Sequence, residues 1–102
     1  MKKIIDGKMY NTETAKELCS DGFSNRGDFS YWKDILYVTK KGQYFFHGEG
    51  GPRSQYAENI GNNTTSGSES MWLVDDVIAR EYIMENDVEL ATKLFGEEIE
   101  EG

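Results

Sequence analysis

The chain has one cysteine, Cys19, one histidine, His47, and one proline, Pro52, among 102 residues. A lone thiol excludes an internal disulfide, and one thiol with one imidazole cannot supply the paired Cys/His spacings of a structural zinc site. Long apolar runs are equally scarce. No stretch approaches the ~20 residues of a membrane span, and Met1-Lys2-Lys3 is followed by only Ile4-Ile5 before Asp6, too little for a secretory core. The expected setting is therefore cytoplasmic. The length is that of one domain with a single core, expected over residues 1–96 with an acidic tail at 97–102.

Positive charge is scarce where negative charge accumulates. Residues 75–102 hold ten Asp/Glu against only Arg80 and Lys93, whereas residues 1–74 hold nine of each sign, so the whole net charge of −8 is C-terminal. Such a segment repels nucleic acid and membranes and attracts basic surfaces, with steering that weakens as salt rises. Direct contact with a nucleic-acid backbone through this part is disfavoured.

What the sequence does contain is a concentrated hairpin signal. Ile35-Leu36-Tyr37-Val38-Thr39 and Gln43-Tyr44-Phe45-Phe46-His47 flank Lys40-Lys41-Gly42, the composition of a three-residue loop with Gly42 at the left-handed position. The register pairs Val38 with Tyr44, Tyr37 with Phe45, Leu36 with Phe46 and Ile35 with His47. Leu36, Val38, Tyr44 and Phe46 then form an apolar face against the core. Ile35, Tyr37, Thr39, Gln43, Phe45 and His47 form a mixed, half-exposed face on which Tyr37 and Phe45 suit a contact surface or a homodimer.

Around this hairpin (about 34–47) the chain alternates between turns and short elements. Lys2 to Ile5 and Lys8 to Tyr10 read as strands about the Asp6-Gly7 turn. Ala15 to Cys19 reads as strand or a single helical turn, and Ser20 to Ser30 as a loop. Arg53 to Ile60 reads as a short helix ending at Gly61, the segment 61–68 as an unburied loop, and Met71 to Val74 as a strand or core plug. Two helices follow, at about 75–85 with Val77, Ile78, Tyr82 and Ile83 inward, and at 87–95 with Val88, Ala91, Thr92 and Phe95 inward. Strands first and helices last predict an α+β fold, an antiparallel sheet carrying two C-terminal helices.

The inventory for chemistry is thin. Gly48-Glu49-Gly50-Gly51 lacks the Lys-Ser/Thr of a phosphate loop and places Glu49 where an anion would sit. His47 and Glu49 are two apart on one strand and form at most a weak acid/base pair. An RNA-processing reading would add Arg53 and the Lys40-Lys41 tip. A zinc-binding alternative draws on His47, Cys19, Asp21 and Glu49 from distant segments. No cofactor is otherwise expected. The more physical anomaly is Glu81, Glu85 and Glu89, four residues apart, which on an unbroken helix would form a mutually repelling stripe that a basic partner relieves. With Asp75 and Asp76 they make the candidate partner-binding surface.

Tyr10-Asn11-Thr12-Glu13-Thr14-Ala15-Lys16, Leu36-Tyr37, Phe45-Phe46, Gly48-Glu49-Gly50-Gly51-Pro52, Ser54-Gln55-Tyr56-Ala57 and Gly61-Asn62 stand in the order seen in a group of small proteins from phages and integrative elements of Gram-positive bacteria. The chain resembles that group, some members of which are anti-CRISPR proteins that inhibit Cas9. The resemblance implies a bacterial host cell, a role in evading host defence and a Cas9-type effector as partner. It transfers no functional residue. Inhibitors of the group differ in action, some blocking guide or target loading and others causing guide RNA truncation.

Overall fold

The computed structural model describes residues 1–25, 27–51, 56, 58–61, 64–66 and 68–102. The fold is α+β. A four-stranded antiparallel sheet has the order β3 (Lys16–Phe23), β4 (Trp32–Val38), β5 (Tyr44–Gly50), β8 (Ser68–Val74). A separate ribbon pairs β1 (Lys2–Ile5) with β2 (Lys8–Asn11), and a small excursion between β5 and β8 pairs β6 (Glu58–Gly61) with β7 (Thr64–Ser66). Helices α1 (Asp76–Asn86) and α2 (Val88–Phe95) follow, closed by a 3₁₀ turn at Gly96–Glu98. Among the described residues no helix is long and apolar enough to cross a membrane.

Local chemistry sets the turns. Gly42 has φ +88° and its N–H donates to the Thr39 carbonyl, while the Thr39 N–H donates to the Gln43 carbonyl. That left-handed residue is tolerated because glycine lacks a Cβ. The hairpin register is the expected one, from Val38↔Tyr44 to Ile35↔His47, and it continues to Trp32↔Gly50. Asp6 (φ 51°) and Gly7 (φ 77°) give the β1–β2 turn two left-handed residues, the geometry that matches strand twist.

Three expectations change. The segment from Ser20 to Phe23 is strand rather than loop, because β4 offers it a ladder from Ile35 to Trp32. A bulge at Glu17/Cys19 lets the adjacent Leu18 and Cys19 both pack toward the helices. The expected helix from Arg53 to Ile60 ends in strand β6, and the expected loop 61–68 contains β7 and the start of β8; β-branched Thr64 and Thr65 favour extended backbone. Residues 52–55, 57, 62–63 and 67 lie outside the described residues.

Apolar side chains gather on both faces of the sheet, not in one core. On the helix side Leu36, Phe46 and Cys19 meet Ala79, Ile83 and Ala91. Phe46 is the hub, stacked on Trp72 at 5.4 Å and edge-on to Tyr82 at 4.7 Å. On the other face Tyr37, Phe45 and Met71 meet Tyr10 of the ribbon. On the hairpin face expected to be half-exposed, Tyr37 and Phe45 are therefore covered, while Ile35, Thr39, Gln43 and His47 are half-buried.

The helices turn differently from their expected orientation. Ala79 and Ile83 are buried on α1 with Tyr82 and Asn86 half-buried beside them, while Val77 and Ile78 are 58 and 48 % exposed. On α2 Ala91 is buried and Leu90 and Phe95 pack inward, leaving Val88 70 % exposed and Thr92 exposed. The cause lies at the helix starts: Asp75 accepts the Ile78 N–H (2.9 Å) and Asp87 accepts the Leu90 N–H (3.0 Å). These caps place α1 and α2 as separate helices and fix their rotation.

Tyr56 holds the far end of the helix-side face. Its hydroxyl donates to Asp34 and lies over Gly48, where any Cβ would collide with it. Gly48→Val should expel that ring and cost about 1–3 kcal/mol. A denaturation midpoint equal to wild type would show that Tyr56 is not seated there.

Candidate functional site

The acidic surface is built by the helical layer. Asp76, Glu81, Glu85 and Glu89 are exposed, as are Glu97, Glu98, Glu100 and Glu101 beyond them. Asp75 is exposed too, but its carboxylate serves as the α1 cap, and Asp87 caps α2. Negative charge at both helix starts also suits the helix dipole. Glu81 and Glu85 share a face of α1. The break at Asp87 puts Glu89 on α2, so the three do not form one continuous helical stripe.

Arg80 is committed locally. Its guanidinium pairs with Glu98 at 2.5 Å and lies 4.9 Å from the centre of the Phe95 ring. The beginning of the acidic tail is thereby tied back onto α1. What remains outward is acidic side chains interleaved with Val77, Ile78, Met84 and Val88. Val77 and Ile78 compete with Ala79 and Ile83 for the inward face, so the apolar pattern alone does not mark this outward component. Asp75 at the cap, with its reach to the third residue on, was the signal that decides between them.

Tyr37 and Phe45 are not available as a contact surface. Their rings stack at 5.2 Å and 12°, and Tyr10 meets Phe45 edge-on at 5.6 Å. Tyr37 is 8 % and Phe45 0 % exposed, because the β1–β2 ribbon lies over them. A homodimer through that hairpin face would have to displace the ribbon.

The four residues of the zinc alternative divide two and two. Cys19 and Asp21 stand at alternate positions of β3 opposite Leu36 and Asp34, on the helix side. His47 and Glu49 stand on the other face, opposite Ile35 and Lys33. The sheet separates the two pairs, so they cannot share one ion, and among the described residues no group of three or more His, Cys, Asp and Glu could hold a metal. His47 is instead paired through Nε2 with Glu69 Oε2 at 3.0 Å, while Glu49 accepts the Tyr31 hydroxyl at 2.6 Å. The first joins β5 to β8, and the second ties β5 to the residue just before β4. Lys40 and Lys41 lie at the hairpin tip, about five strand residues or ~16 Å from His47, and Arg53 lies outside the described residues.

Burial pushes the Cys19 thiol up to about 11, with Asp87 and Glu17 adding to the shift. The folded state thus holds that proton more tightly than an unfolded thiol near 9. That contribution to stability is complete below pH 9 and is lost as pH rises through about 11. Cys19→Ala should flatten the alkaline limb of a stability-against-pH curve; an unchanged limb would place the titration elsewhere.

Taken as a class, this is a small α+β protein whose helical layer turns a mixed acidic and apolar face outward. No protein family, no curated protein and no solved structure matches the chain.

Proposed function

We propose that the protein is a non-enzymatic binding protein that sets its helical face against a basic protein surface, and that its partner is a Cas9-type effector. The partner rests on the resemblance. The surface rests on one observation: the excess negative charge and the exposed Val77, Ile78 and Val88 share the same helical layer. Carboxylates provide electrostatic attraction and register, and apolar side chains provide area that resists salt. In a channel built for guide RNA or target DNA, such a face competes with phosphates and anti-CRISPR inhibition follows from occupancy.

Pull-down and DNA-cleavage assays with several Cas9 orthologues, each with and without guide RNA, test this directly. Co-elution that guide RNA prevents is the expected result, with the guide staying full length. Absence of binding to all of them would overturn the choice of partner, and guide shortened by the protein would support the RNA-truncating alternative instead. Replacing Glu81, Glu85 and Glu89 together by Gln should weaken binding about 3–10-fold and flatten its salt dependence. Because Glu81 and Glu85 repel each other along α1, the same change should raise helix stability slightly, by roughly 0.2–0.5 kcal/mol. Lost binding would then not reflect lost folding.

A further inference from the structure

A second surface has the opposite character. Between β2 and the tip of the β4–β5 hairpin lies a solvent-open cleft of about 590 Å³, with Lys8 to Asn11, Thr14 and Ala15 on one wall and residues 39–43 on the other. It carries Lys8, Lys40 and Lys41, and among the described residues no carboxylate lines it, on a chain whose net charge is −8. Each of the three lysines is exposed, and among the described residues none makes an ion pair.

The cleft walls are held in place by their own bonds. Asn11 Oδ1 accepts the Glu13 N–H at 2.9 Å, leaving the Asn11 amide NH₂ as a donor. Across the gap, Thr39 Oγ1 accepts the Gln43 N–H at 3.1 Å, and the Gln43 side chain donates to the Tyr44 and Val74 carbonyls, fixing the tip to the sheet. The donors are ammonium groups on flexible stems, suited to phosphate oxygens as point charges. The Tyr10 ring is buried against Phe45, so among the described residues the cleft offers no exposed aromatic platform for stacking a base.

We infer that this cleft holds the phosphodiester backbone of a single-stranded nucleic acid, the three lysines contacting phosphates and no base being read. An open trough follows a chain, whereas a small phosphorylated ligand would need to be mostly enclosed. The site is independent of the helical face and stands whether or not that face binds Cas9. Three phosphate contacts give a log-log salt slope of about −2 for a single strand, and affinity in the range of about 10⁻⁴ to 10⁻⁶ M.

Fluorescence anisotropy of the full chain with a labelled single-stranded RNA oligonucleotide at several salt concentrations is the test. Lys40→Gln should weaken binding about 3-fold and reduce the slope by about 0.7. The combined Lys8→Gln, Lys40→Gln and Lys41→Gln variant should bring the slope close to zero. Lys93→Gln, which removes the same charge on α2, should leave both unchanged. Thermal melts control for folding, and the exposed cleft lysines should not move them. No binding at low salt would overturn the inference, as would an equal loss from Lys93→Gln. Saturable binding of inorganic phosphate without binding of the oligonucleotide would assign the cleft to a small anion and overturn it as well.

Discussion

Phe45→Ala is expected to remove about 3–5 kcal/mol of stability. Phe45 is fully buried, stacked on Tyr37 and met edge-on by Tyr10, so truncation opens a cavity between the sheet and the ribbon and abolishes two ring contacts at once. Against a total of roughly 5–15 kcal/mol for a domain of this size, the variant should be partly unfolded at room temperature or have a strongly lowered urea midpoint. A double-mutant cycle with Tyr10→Ala should return about 0.5–1.5 kcal/mol of coupling. A loss below about 1 kcal/mol would mean that the ribbon does not cover this face in solution.

Ile83→Ala should cost about 2–5 kcal/mol for the parallel reason on the other face. Ile83 is fully buried where α1 meets the sheet, in the cluster that contains Leu36 and Phe46. Val77→Ala is its control. Val77 is largely exposed, so its loss should stay within about 0.5 kcal/mol. Comparable costs for the two substitutions would show that α1 is rotated from the orientation described, and would remove Val77 from the proposed docking face.

The hairpin was the most legible part of the sequence because alternation, glycine position and β-branched residues all pointed to one register, which the structure reproduces from Ile35 to His47. The α+β class followed from element order. Local pattern did not reveal what covers the second hairpin face: Tyr10 arrives there from a distant strand, so Tyr37 and Phe45 could be read as exposed. Helix rotation failed for a different reason. Val77, Ile78, Ala79, Tyr82 and Ile83 offer two overlapping apolar faces, and the side-chain bond of Asp75 selects one of them. Of the candidate site, the exposure of Glu81, Glu85 and Glu89 was legible from charge, their division between two helices was foreshadowed by Asn86-Asp87, and the basic cleft was not visible because Lys8 lies more than thirty residues from Lys40 and Lys41.

The two caps, Asp75 and Asp87, and the tether from Arg80 to Glu98 keep the anionic helices in one layer, while free ammonium groups gather where β2 meets the hairpin tip. Opposite charges are therefore displayed on two separate patches of one small molecule, the helical layer and the hairpin-tip cleft. Toward the proposed basic partner the helical patch would attract and the lysine patch repel, so that encounters led by the helices would be the productive ones.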